Sequence, residues 1–137
     1  MNKITLILAV AVLLTGCAHQ VVVKVPSEEQ LKSASYGEKP DMAQVEKSIK
    51  AWSVDALKDP DSMQLMDISK SSNQGWLSLC LRPYENECFE RNFYFGHIVT
   101  ARINAKNSNG GYVGYNDYSF LFHGNKVVFH LPPGAIR

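Results

Sequence analysis

Apolar and polar residues alternate through the second half of this chain, and that pattern limits it to antiparallel strands. The longest stretch covers residues 93–105, where every second position falls on the same face of an extended strand. The residues on that face are Phe93, Phe95, His97, Val99, Ala101 and Ile103. Residues 63–69, 76–82, 112–122 and 126–131 are also typical of strands, with turn residues between them. We therefore predict a meander of four or five strands.

The turn between the last two strands predicts their register. Gly124-Asn125 is a signal for a two-residue hairpin, which pairs His123 with Lys126. In this register four apolar side chains share one face, as a buried layer requires. They are Phe120, Phe122, Val127 and Phe129. In the same register His123 and His130 share the opposite face of the sheet, but about 13 Å of strand separates them, which is too far for both to bind one metal ion.

One amphipathic helix is predicted over residues 41–58, before the strands begin. Its apolar stripe at helical spacing consists of Met42, Val45, Ile49, Trp52, Ala56 and Leu57. Asp41 can cap the helix, with Gln44 placed for the reciprocal bond of a capping box, and Pro60 ends it. A helix followed by a meander predicts an α+β domain of two layers. The N-terminal helix would pack across a four- or five-stranded antiparallel sheet.

Length and charge indicate one domain without a nucleic-acid partner. The chain has 137 residues and a formal net charge of +1, and its Lys and Arg residues are not clustered as nucleic-acid binding requires. Residues 41–137 are predicted to form the single domain. Residues 17–40 mix Ser, Glu, Lys, Gly and Pro and are predicted to be a flexible tether, with a span of about 25 Å. Within it, the apolar run at 21–25 has the alternative of docking as an edge strand.

The amino-terminal residues have the layout of a secretory signal. Lys3 precedes an apolar stretch at 4–14, which is shorter than the ~20 residues needed to cross a bilayer. The stretch ends in Leu14-Thr15-Gly16-Cys17. This ending resembles the lipobox of bacterial lipoproteins, in which the cysteine thiol receives a diacylglycerol, the signal is removed and the new amino terminus is acylated.

The lipobox resemblance implies a signal peptide over 1–16 and a mature protein that begins at a lipidated Cys17. Several acyl chains on one residue anchor a protein to a membrane without a spanning helix. Ala18 stands where an Asp tends to retain such proteins at the inner membrane. We therefore expect an outer-membrane location facing the periplasm.

The two remaining cysteines, Cys80 and Cys88, are predicted to form a disulfide, because an even pair outside the cytoplasm favours oxidation. A redox or metal pair is the alternative. The spacing is not Cys-x-x-Cys, and the sequence places no histidine near enough for a zinc set. The sequence contains no nucleophile elbow, phosphate loop or dinucleotide fingerprint. No catalytic residue, metal ligand or cofactor is therefore assigned.

The segment 104–115 stands out as a candidate recognition loop. Its residue types predict the end of one strand, a polar turn rich in Asn and Gly, and the start of the next strand. The alternative to a recognition loop is a hairpin turn with a purely structural role. Amide and ammonium groups would supply hydrogen bonds, and tyrosine rings flat faces. The candidate residues are Asn104, Lys106, Asn107, Tyr112 and Tyr115.

Two motifs resemble a set of small uncharacterised exported bacterial proteins and lipoproteins. Residues 57–62 read Leu-Lys-Asp-Pro-Asp-Ser, and residues 104–115 read Asn-Ala-Lys-Asn-x-x-Gly-Gly-Tyr-x-Gly-Tyr. In those proteins a cysteine often precedes the second motif, where this chain has Thr100 and Ala101. The resemblance implies a shared fold and brings no known activity.

The leading functional hypothesis is a non-enzymatic binding or accessory module of the bacterial envelope, with an unknown envelope protein or glycan as its partner. The alternative is an inhibitor of a hydrolase such as lysozyme that acts through residues 104–115. A cell-wall hydrolase ranks third, because the sequence offers no catalytic constellation.

Overall fold

The computed structural model describes residues 25–84, 87–88, 90–131 and 133, which form an open antiparallel sheet with helices. The predicted α+β class is confirmed at that level. The helices are α1 (Glu28–Ser33), α2 (Met42–Ala56) and a 3₁₀ turn (Pro60–Ser62). The strands are β1 (Gln64–Met66), β2 (Asn73–Cys80), β3 (Pro83–Tyr84), β4 (Glu87–Cys88), β5 (Arg91–Asn104), β6 (Asn116–His123) and β7 (Lys126–Leu131). The predicted signal peptide, Cys17 and residues 21–24 lie outside the described residues.

The long strand β5 organises the sheet. One of its edges pairs with β6 over residues 97–103, and β6 pairs in turn with β7. Since β6 occupies that edge, β1 and β2 share the opposite one, β2 along the start of β5 and β1 along its end. All these pairings are antiparallel. The sheet is curved enough for β2 to contact β7.

A small second ladder, β3 with β4, lies between β2 and β5 and was not predicted. Cys80 and Cys88 form a disulfide at its base, with 5.8 Å between their Cα atoms. The predicted disulfide is thus supported, and it ties the end of β2 to this ladder.

The helix α2 begins at the predicted N-cap, Asp41, but the predicted reciprocal bond from Gln44 is replaced by a bond to another part of the chain. The Asp41 carboxylate accepts a hydrogen bond from the Ala43 N–H at 3.0 Å, as expected of an N-cap. The reciprocal bond was expected from Gln44. Instead, the Asp41 N–H donates to Oδ1 of Asn125 at 2.8 Å. The Ser48 hydroxyl donates to the Asn125 carbonyl at 2.6 Å, so the β6–β7 turn holds the start of the helix.

The core lies on the α2 side of the sheet. Its fully buried members come from α2, β5 and β6, and they are Val45, Ile49, Val99, Ala101, Ile103, Phe120 and Phe122. Trp52 packs edge-on against Phe120, with 4.8 Å between ring centroids. The apolar alternation on β5 therefore faces the helix stripe, as the two periodicities require.

A β-bulge in the last hairpin overturns part of the predicted register. His123 pairs with Lys126 as expected, but the register shifts next to Phe122, and Phe129 pairs with Leu121 instead of Phe120. One extra residue in β7 reverses the alternation beyond it. Phe129 therefore joins a second cluster with Leu77, Leu121 and Leu131, on the other face.

The carboxyl end of the predicted tether is packed against the sheet. α1 begins with a capping box at Ser27, and Pro40 is buried. The Gly124 N–H donates to the Glu38 carbonyl at 2.7 Å. Gly37 has φ +64°, and a Cβ there would collide with the imidazole of His123. The flexible tether expected over 17–40 is therefore wrong for its last residues, because backbone bonds and burial order them.

Replacing Phe120 with Ala should lower the free energy of unfolding by about 3 to 5 kcal/mol, because the fully buried ring would leave a cavity under α2. Chemical denaturation measures the change. Val54→Ala on the exposed side of α2 is the control and should stay within about 0.5 kcal/mol of the wild type. A Phe120→Ala loss as small as that of the control would contradict the described core.

Candidate functional site

The loop between β5 and β6 is shaped by the side chain of Asn107. Its Oδ1 accepts hydrogen bonds from the N–H groups of Asn109 at 2.9 Å and Gly111 at 3.2 Å. The backbone N–H of Asn107 donates to the Gly111 carbonyl, and its carbonyl accepts from the Gly110 N–H across the same turn. Gly110 has φ +78°, which glycine adopts without a steric cost. Asn107 therefore holds the turn together from inside.

Asn104 is also a bracing residue. Its side chain is buried, with 8% exposure, and Nδ2 donates to Oε1 of Gln64 at 3.1 Å. Its Oδ1 accepts from the Gly114 N–H at 2.9 Å. Both polar atoms of the Asn104 side chain are thus bonded within the protein, one to β1 and one to the loop, and its part in ligand binding stays a prediction. Gly114 has φ +92°, and β6 starts at Asn116 instead of the predicted residue 112.

The exposed part of the loop is apolar and aromatic. Tyr112, Val113 and Tyr115 are 47%, 59% and 40% exposed, and we call them the loop patch. Lys106 is fixed beside them, since its N–H donates to the Ser62 hydroxyl at 2.9 Å and its ammonium lies 5.5 Å from the Tyr112 ring centroid. The tyrosines predicted for recognition are thus accessible on a braced loop.

A polar part of the sheet adjoins the loop patch. Thr100 and Arg102 alternate with the core residues of β5 and so point away from α2. Together with neighbours from β6 and from the segment after β1, they line a shallow hollow of about 280 Å³. We call this the polar face, and its members are Asp67, Thr100, Arg102, Asp117 and Ser119.

Arg102 connects the polar face to the loop patch. Its guanidinium lies 3.4 Å from the Asp67 carboxylate and 3.5 Å from that of Asp117. The same group sits 5.6 Å from the centroid of the Tyr115 ring. The two surfaces therefore form one continuous candidate binding surface.

Sequence reasoning missed the polar face. Asp67 adopts φ +52°, a left-handed conformation that Asp tolerates better than most residues, and strain of this kind often accompanies function. The polar positions on β5 were visible as the other half of its alternation. Nothing in the sequence indicated that Asp67, 35 residues before Arg102, would meet it.

The three histidines among the described residues are not part of this surface. Nε2 of His123 is 2.9 Å from the Phe95 carbonyl, and His97 is buried on the core side as expected. The prediction that His123 and His130 share a face is wrong, because the bulge moves His130 to the α2 side, where Nδ1 accepts from Trp52 Nε1–H at 3.3 Å. Among the described residues, no group of three His, Cys, Asp or Glu side chains could hold a metal ion.

A groove of about 720 Å³ runs between α2 and β7, with Trp52 and His130 in its lining. Its charged lining residues are Lys47, Asp55 and Lys126. Burial lowers the pKa of His130 below its ordinary value of 6.5, since the imidazolium would lose hydration. Burial also raises the pKa of the nearby Tyr118.

No protein-family model, curated protein or solved structure matches this chain. The helices of the described part of the chain are all too short or too polar to cross a bilayer. Function has to be inferred from the chemistry of the molecule's own surfaces.

Protonation of His130 should destabilise the fold in mild acid. Its folded-state pKa lies below the unfolded value, so the folded chain binds the proton less readily. The free energy of unfolding should therefore fall as the pH drops from about 6.5 to the folded-state pKa of His130. Below that pKa the histidine should cause no further loss. Chemical denaturation between pH 7.5 and 5 tests this against His130→Gln, which can still accept from Trp52. Equal pH dependence in both proteins would rule out this contribution.

Proposed function

We propose that this protein is a bacterial envelope lipoprotein, anchored through Cys17 and facing the periplasm from the outer membrane. The support is the signal layout, the lipobox ending at Cys17 and the Ala18 that follows it. A disulfide between Cys80 and Cys88 is compatible with an oxidising compartment. The lipid would hold the folded domain close to the membrane surface.

We propose further that the domain is a non-enzymatic binding module with two layers. Val45 and Ile49 of α2 share a core with Val99 of β5, which supports a helix laid across one face of the sheet. This arrangement leaves the opposite face available at the β1–β5–β6 end. The helix layer would then serve stability and the uncovered surface recognition.

The observation that carries the binding proposal is the exposed and braced loop patch. Three large apolar side chains stand in solvent on a loop whose turn is fixed by Asn104 and Asn107. A rigid loop loses little conformational entropy when it binds, and exposed aromatic rings supply most of the energy in many interfaces. The alternative of an inhibitor that inserts this loop into a hydrolase draws on the same feature.

Membrane attachment should depend on Cys17. We expect the wild-type chain to incorporate labelled palmitate and to remain in the membrane fraction after a high-salt wash, because several acyl chains make release negligible. Cys17→Ser should lose the label and move to the soluble fraction once the signal is removed. If the two forms fractionate alike and the wild type carries no lipid mass, the anchor proposal fails.

A photocrosslinking amino acid at position 113 should capture a discrete partner in intact envelopes. The same amino acid at position 54 is the matched control, since Val54 is equally accessible but lies on α2. Identical adduct patterns at the two positions, or no adduct at 113, would count against the loop patch as a binding surface. A lytic enzyme in the adduct would favour the inhibitor alternative, and mass spectrometry distinguishes the cases.

A further inference from the structure

We propose that the polar face and Tyr115 bind a pyranose ring of an uncharged glycan chain. This inference rests on the proposed binding function and names the chemistry of the ligand. The polar face lies beside an exposed aromatic ring, and sugar recognition needs both: hydrogen-bonding groups for the hydroxyls and a flat apolar surface for the C–H face of the ring.

Ser119 contributes a hydroxyl to the lining of the hollow. The residue is more than nine-tenths buried, and no other group of the described residues bonds its hydroxyl. It lies two positions from Asp117 on β6, so the two side chains share the same face of the sheet. A ligand hydroxyl at this position can donate to the Ser119 hydroxyl or accept from it.

The other groups of the polar face suit vicinal hydroxyls. Asp67 and Asp117 accept hydrogen bonds, Arg102 donates them, and the Thr100 hydroxyl can do either. Arg102 lies 3.4 and 3.5 Å from the two carboxylates, so the three charged groups are close together on this face. Both carboxylates keep further lone pairs for a ligand, since a carboxylate can accept about four hydrogen bonds.

Tyr115 supplies the apolar surface next to the hollow. Its hydroxyl lies 3.4 Å from Oε1 of Gln64, and Arg102 lies 5.6 Å from the ring centroid. These contacts orient the ring while 40% of the side chain remains exposed. Tyr112 is exposed further along the loop patch, so a longer chain has a second ring to contact.

The charge of the polar face selects against phosphorylated sugars. Two carboxylates and one guanidinium leave one net negative charge in the hollow, and a phosphate would face repulsion there. We therefore assign the face to uncharged sugars, such as the N-acetylhexosamines of a cell-wall glycan, over the phosphorylated saccharides of a lipid. The hollow of about 280 Å³ is small and accommodates a single sugar ring.

The test is an NMR titration of the lipidated full chain in dodecylphosphocholine micelles, which contain no sugar headgroup. The probe is chitotetraose, a chain of four N-acetylglucosamines. We expect saturable shifts at Thr100, Arg102 and Ser119, with weaker binding by the monomer. Tyr115→Ala should weaken affinity at least about tenfold, equal to about 1.4 kcal/mol. Asp117→Ala should weaken it too, while the control Val54→Ala should stay within about threefold of the wild type.

Three results would overturn the assignment. They are the absence of saturable shifts, unchanged affinity in both Tyr115→Ala and Asp117→Ala, and equal or tighter binding of glucose 6-phosphate than of glucose. Asp117 and Tyr115 are both exposed, so unchanged resonances of the buried Val99 and Phe120 in the two variants would distinguish lost binding from misfolding. A protein adduct at position 113 without any response to chitotetraose would retain the binding proposal and reject the glycan alone.

Discussion

One face of β5 is buried in the core and the other is exposed to solvent, and the arrangement of the rest of the molecule depends on this difference. One face supplies Val99, Ala101 and Ile103 to the core under α2. The other presents Thr100 and Arg102 to solvent. Because side chains alternate strictly along a strand, burial of the first set determines the direction of the second. Packing of the helix therefore also determines which way the candidate binding surface faces.

The loop after β5 shows how stability and recognition can be divided among neighbouring residues. The side chains of Asn104 and Asn107 form hydrogen bonds that brace the loop, one of them to Gln64 of β1, and Tyr112 and Tyr115 are exposed on this braced loop. A surface ordered in advance loses less entropy on binding than a mobile one. Residue types alone suggested ligand contacts for all four, whereas the structure shows that the two asparagines also stabilise the loop.

Sequence reasoning was strongest where one periodicity ran without interruption. The helix range 41–58 contains α2, and the strand range 126–131 coincides with β7. It was weakest where a single residue changes the alternation. One additional residue in β7 sends Phe129 to the second cluster and His130 to Trp52, and no residue type in that strand announces the bulge. The residues just before 41, which pack against the sheet, show no hydrophobic periodicity in the sequence.

The sequence by itself determined the α+β class, the apolar faces of α2 and β5 and the pairing of the two cysteines. These follow from local periodicity and spacing, which neighbours along the chain express. Only the tertiary structure decided that Asp67, Arg102 and Asp117 meet, that Ser119 lines a hollow beside them, and that Asn125 holds the start of α2. Contacts between residues far apart in sequence depend on register and sheet curvature, which no local pattern encodes.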